Sequence, residues 1–178
     1  MQKLIIGFSK TKSFEPYGWL IMKLLKVPFS HVYIKLHSDT YDRNIIYQAS
    51  SLMVNFESPK IVAEKHEVVA EFELNVSNST MIGVMQYAID NAGVPYGVLQ
   101  ALGMGYVQIA SFFGFKVKNP FKNDGKTFVC SELIGDILIE VLKYRFPPSE
   151  FDDLTPGAIY DYLQDKDNYS SKLRKLKG

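Results

Sequence analysis

Cys130 is the only cysteine in the 178-residue chain, and it is accompanied by three histidines, His31, His37 and His66. A thiol and an imidazole are the parts of a nucleophile and its general base, because the thiolate reacts and the ring takes the proton. Cys130 stands at the head of an apolar run from Phe128 to Leu142, whose Val129, Leu133, Ile134, Ile137, Leu138, Val141 and Leu142 form one helical stripe. With Thr127 as the expected N-cap, the thiol falls in the first turn. There the unpaired amides and the dipole favour a thiolate and can hold an oxyanion. Read alone, such a cysteine is more often a small buried hydrophobe. His31 opens a stretch of strict alternation, with Val32, Ile34 and Leu36 on one side and His31, Tyr33, Lys35 and His37 on the other. Gln48 lies in the apolar context Ile45-Ile46-Tyr47-Gln48-Ala49, where a buried amide must find a hydrogen bond. Orienting the His31 ring from the neighbouring strand would satisfy it. His37 and His66 read as solvated, the second being flanked by Glu64, Lys65 and Glu67.

The elements that must position these residues divide the chain in two. Leu4 to Phe8 is an expected buried strand, followed by a helix from Tyr17 to Lys26. The alternation from Ser30 and the run Ile45 to Ala49 form an expected antiparallel hairpin across the turn Ser38 to Asp42, and Leu52 to Phe56 and Val68 to Leu74 add strands, with Pro59 breaking between them. The second half is helical: Ser79 to Ala92, Phe128 to Leu142, and a last helix opened by Thr155 as cap and Pro156 at its first position, running to Gln164. The expected architecture is α+β, an early antiparallel sheet packed against later helices in a single domain over residues 1–165. The polar, basic tail 166–178 is expected to fray.

Composition narrows the function classes. At 47% hydrophobic and 22% charged residues the chain is that of a globular domain. Lys+Arg 20 against Asp+Glu 19 leaves no basic excess for a nucleic-acid partner. One cysteine excludes an internal disulfide and any metal site needing two thiolates, and three scattered histidines make a poor metal site. No cofactor is expected: Gly125-Lys126-Thr127 ends like a phosphate-binding loop, but Pro120 stands where its first glycine belongs. The start of the chain lacks the apolar core of a signal peptide, so the expected location is the cytoplasm. No apolar run is long enough to span a bilayer. From Asn91 to Phe115, however, no residue is charged, and the segment 97–115 is a candidate for membrane-surface contact.

Six short runs, in order, carry a resemblance. Ile5 to Phe14 followed by Pro28-Phe29-Ser30-His31-Val32-Tyr33-Ile34, then Ile45-Ile46-Tyr47-Gln48-Ala49-Ser50, Gly93-Val94-Pro95-Tyr96-Gly97, Phe128-Val129-Cys130-Ser131-Glu132-Leu133 and Thr155-Pro156-Gly157-Ala158-Ile159-Tyr160 together resemble the circularly permuted NlpC-type papain-like proteins, the YiiX-like and lecithin:retinol acyltransferase-like branch. The resemblance covers residues 4 to about 163. It implies a permuted papain-like fold in which His31, Gln48 and Cys130 converge as catalytic residues, with Tyr96 and Ser131 as oxyanion or substrate contacts. It also implies a cysteine hydrolase that cleaves an amide or ester through a thioacyl intermediate, on a peptidoglycan-type peptide or a lipid acyl group. An acyltransferase using the same Cys-His pair, or a non-catalytic binding module on the same fold, are the alternatives. Two positions depart from the family pattern. Gln48 stands where His, Glu or Asn is usual and cannot carry charge, and Tyr33 replaces a small residue.

Overall fold

The computed structural model describes residues 2–13, 18–19, 22–23, 26–38, 42–50, 52–121, 126–146 and 154–165, with the backbone of 173–177. Six strands, β1 (Gln2–Thr11), β2 (His31–Ser38), β3 (Arg43–Ser50), β4 (Met53–Glu57), β5 (His66–Val76) and β6 (Leu173–Lys177), form one sheet in the order β4-β3-β2-β1-β5-β6, all neighbours antiparallel. The described helices are α1 (Pro59–Lys65), α2 (Asn78–Asp90), α3 (Val98–Phe112), α4 (Cys130–Asp136), which widens into a π-turn over Ile137–Val141, and α5 (Pro156–Gln164). Most of the expected helix from Tyr17 to Lys26 and the middle of the expected turn Ser38 to Asp42 lie outside the described residues.

Alternation builds the core. Leu4, Ile6 and Phe8 of β1 pair with Leu36, Ile34 and Val32 of β2 and with Leu74, Phe72 and Ala70 of β5. All nine are buried and pack on one face against Val84 and Ala88 of α2, Leu133 and Ile134 of α4, and Ile159 and Leu163 of α5. Phe8, Phe29 and Tyr160 pack ring on ring there, with centroids 4.9 to 5.3 Å apart.

The opposite face is covered too, so Tyr33, on the side of β2 away from Val32 and Ile34, is also buried. Pro59 does not simply break the chain: Ser58 caps α1 through the Lys60 amide at 3.3 Å, and Pro59 sits in its first turn, where it costs no hydrogen bond. The helix lies over the sheet and buries Tyr33, Ile46 and Val62 together. Tyr33 fits because residue 7, its partner on β1, is glycine; a Cβ there would fall 2.1 Å from the ring. Its hydroxyl donates to Glu71 Oε1 at 3.0 Å, and that oxygen also takes Lys35 Nζ.

Two further expectations are corrected. The long helix begins at Cys130, with Val129 as a cap that makes no side-chain bond, and Thr127 does not cap it. Phe128 is instead held extended by a parallel bridge to Tyr96. The tail does not simply fray, since residues 173–177 extend the sheet beside β5. Leu173-Arg174-Lys175-Leu176-Lys177 has no β-branched residue, so only main-chain pairing with an open sheet edge reveals the strand.

Candidate active site

His31 is the first residue of β2 and is 8% exposed. Its Nε2 lies 2.9 Å from Oε1 of Gln48, which is completely buried on β3. Gln48 Nε2 donates in turn to Glu57 Oε2 at 2.7 Å, and Lys65 Nζ donates to Glu57 Oε1 at 2.7 Å. This chain of groups fixes a tautomer. A carboxylate only accepts, so the amide must turn its nitrogen to Glu57 and its oxygen to His31. A carbonyl oxygen only accepts as well, so Nε2 of His31 carries the hydrogen, and the lone pair of the neutral ring is on Nδ1. Burial pushes the imidazole down to about 4. The Gln48 bond and the Glu57 charge oppose that shift, and neighbouring His66 adds to it. The base is therefore neutral and unprotonated at neutral pH.

Cys130 approaches the same strand from the helical layer. Its thiol lies against the amide of the peptide that joins His31 to Val32 and against the amides of Ser131 and Cys130 itself. Those amides favour the thiolate, but burial outweighs them and pushes the thiol up to about 11, with the Glu132 charge adding to the rise. The expected thiolate is thus not the resting form. Among the described residues the imidazole hydrogen-bonds to Gln48 and not to Cys130. Catalytic hydrogen bonds are often open before substrate arrives.

The remaining expected residues have mixed fates. Tyr96 comes near the nucleophile through its backbone: the Gly97 amide donates to the Phe128 carbonyl at 3.0 Å, and the Phe128 amide to the Pro95 carbonyl at 3.1 Å. Its half-buried ring packs against the core. The Ser131 hydroxyl is fully buried and donates to the Leu154 carbonyl, which docks the chain entering α5. That side chain is a strut, and only its amide faces the thiol. His66 is not a solvated surface group: it opens β5 and sets its ring 5.4 Å from that of His31. The sequence reading missed Glu57 altogether. The available signal was a carboxylate closing a strand two residues past the position that pairs with Gln48. It also missed the bond from Gln100 Nε2 to Glu132 Oε1, which ties α3 to the turn bearing Cys130.

An antiparallel sheet with helices packed against it, and a cysteine at the start of a late helix, define an α+β class with a thiol at the sheet. Within it, the chain is similar to the crystal structure of metalloprotein yiiX from Escherichia coli O157:H7, with a TM-score of 0.61 and 13% identity, over 99% of this chain and 96% of that one. At that identity the likeness is one of fold. No family model matches the chain, and no curated protein is significantly similar to it. The residues here do not fit a metal held by three or more His, Cys, Asp or Glu: no such group occurs among the described residues. His31 Nε2 is spent on Gln48, and the two Glu57 oxygens are taken by Gln48 and Lys65.

Proposed function

We propose that the chain is a cysteine hydrolase of the circularly permuted papain-like type, cleaving an amide or ester through a thioacyl intermediate. The observation that carries this reading is the connected chain Glu57–Gln48–His31, ending at a ring whose free Nδ1 belongs to the residue whose following peptide amide touches the Cys130 thiol. A buried imidazole held in one tautomer by a buried amide is what orients a general base.

Both groups rest neutral, so the attack does not start from a preformed ion pair. As Sγ bonds to the substrate carbonyl carbon, its proton passes to Nδ1. The carbonyl π electrons move onto oxygen, where the amides around the thiol supply an oxyanion site. The imidazolium keeps Nε2–H on Gln48 Oε1, and Glu57 behind the amide supplies the negative charge that Gln48 lacks. Nδ1 then returns the proton to the leaving nitrogen or oxygen as the carbon–leaving-group bond breaks. Water, giving a proton to the same Nδ1, bonds to the thioacyl carbon, and as the carbon–sulfur bond breaks that proton returns to Sγ and the acid is released.

The substrate class proposed is a small amide, ester or peptide, with the apolar segment after Tyr96 favouring an acyl group. The test is the intact mass of the protein after exposure to p-nitrophenyl acyl esters and to short peptidoglycan-type peptides. An acyl adduct on Cys130, absent in Cys130→Ala and slowed in His31→Ala by about a hundredfold or more, is expected. Burial of a protonated thiol favours a second reading, a binding module on the same fold. Ligand binding with no adduct and no turnover selects it. Turnover that depends on an added alcohol or amine selects acyl transfer.

A further inference from the structure

α3 is seated on one side and bare on the other. Gln100, Ala101, Gly103 and Val107 face inward. Gln100 is tied to Glu132, and Asn119 Nδ2 donates to the Gln100 carbonyl at 3.1 Å. Asn119 also packs so closely on Gly103 that a Cβ there would fall 1.8 Å from its Oδ1. On the other side Val98, Leu102, Tyr106, Ile109 and Phe113 recur at steps of three and four residues, and all are exposed, Phe113 by 68%. The bare stripe starts at the candidate site: Val98 follows the Pro95–Gly97 segment that is bonded to Phe128, and the Tyr96 amide donates to the carbonyl of Leu52, itself 76% exposed. A continuous apolar face of this kind marks a docking surface rather than ordinary solvent contact.

Charge identifies the occupant. From Asn91 to Phe115 no side chain is charged, and the next charged residues are Lys116 and Lys118, both exposed, followed in sequence by Lys122, Asp124 and Lys126. We infer that the α3 face docks on an anionic lipid bilayer, the apolar stripe lying among the acyl chains and the lysines on the headgroups. A helix lying in the interface combines these two features. A second copy of the chain would meet Lys116 and Lys118 with no carboxylate from its own residues 91–118. No helix among the described residues is long and apolar enough to cross a membrane, so the mode is surface docking. The inference goes beyond the hydrolase reading, because docking needs no reactive thiol.

The test floats full-length Cys130→Ser protein with vesicles of phosphatidylcholine alone or with phosphatidylglycerol added. Binding is expected to the anionic vesicles and to weaken with salt. Lys116→Gln with Lys118→Gln, both on exposed side chains, should weaken it about twenty-fivefold, each lysine contributing about a factor of five near an anionic surface. Leu102→Glu with Ile109→Glu should abolish it while the melting curve is kept. Failure of the unsubstituted face to float with anionic vesicles overturns the inference, as does binding indifferent to both pairs of substitutions. A dimer in sedimentation that Leu102→Glu with Ile109→Glu dissociates also overturns it and assigns the face to a second copy. Because flotation reads no chemistry, its failure leaves the hydrolase reading standing, and a missing acyl adduct leaves the docking reading standing.

Discussion

Glu57→Gln is the most incisive perturbation of the site. A glutamine there has the carboxylate's size and can present an oxygen to Gln48 Nε2, so the geometry of the chain survives and only the charge is removed. The carboxylate is separated from His31 by two hydrogen bonds of 2.7 and 2.9 Å and one amide group. That places the charges roughly 8 Å apart; at an effective dielectric of about 20, this is worth about 2 kcal/mol to the imidazolium, or about 1.5 pKa units. Lys65, held on the other carboxylate oxygen at 2.7 Å, cancels part of it. The expected loss in the acylation rate is therefore about fivefold to thirtyfold. Because the His31 ring already titrates near 4, the acid limb of the rate profile should move lower still. The assay is the p-nitrophenolate burst from an activated ester between pH 4 and 9, beside the ¹⁵N shifts of His31. In Lys65→Gln the opposing charge is gone, so the His31 pKa should move up. The reasoning is refuted if Glu57→Gln changes neither the rate by more than about twofold nor the His31 pKa, or if Lys65→Gln shifts that pKa in the same direction.

Three further outcomes are expected. Alkylation of Cys130 by iodoacetamide should climb with pH toward about 11, the value to which burial pushes the thiol, and a plateau of reactivity below pH 7 would show a resting ion pair instead. His31 is held at about 4 against an ordinary 6.5, mainly by burial. The folded state thus disfavours its charged form, and the stability this contributes is complete above pH 6.5 and is lost as pH falls through 4. The loss is about 3 kcal/mol, measurable by urea unfolding as the difference between the parent and His31→Gln across that window. Gly7→Ala drives a methyl into the Tyr33 ring and should lower stability by about 1–3 kcal/mol, with Tyr33→Leu in the same chain recovering part of the loss.

What was legible in the sequence and what was not follow from the range of each interaction. The apolar run of β1, the alternation in β2 and the stripe of α4 are local patterns, and the sheet and the helical layer on one of its faces that they imply are observed. The Gln48–His31 pairing was inferred from one physical requirement, that a buried amide needs a partner, and the 2.9 Å bond meets it. Glu57 escaped because its role is set by a cross-strand neighbour and by a lysine on the next helix, and no periodicity encodes that. The covered second face escaped because Pro59 reads equally as a break or as a helix start. The thiol's protonation was misjudged for a different reason. Position in a first turn is visible in sequence, whereas burial among β2 and β3 is a tertiary quantity, and it outweighs the helix amides.

That balance bears on how the site would work. A thiol pushed up to about 11 and an imidazole pushed down to about 4 are about seven pKa units apart. Burial disfavours both charged forms, so the pair rests neutral and forming the ion pair before substrate arrives is uphill. Whatever binds must lower that cost, and only two groups of atoms here are placed to help. The amides of Val32, Ser131 and Cys130 surround the sulfur as charge leaves it, and the Glu57–Gln48 chain meets the ring as charge arrives on it. Charge separation along this line is favourable only while a carbonyl draws electrons from the sulfur, so the buried neutral pair would spare the thiol from adventitious oxidation and alkylation. The same logic ranks the substitutions: removing Glu57 weakens the charged state alone, whereas removing Gln48 also frees the tautomer, and should cost more.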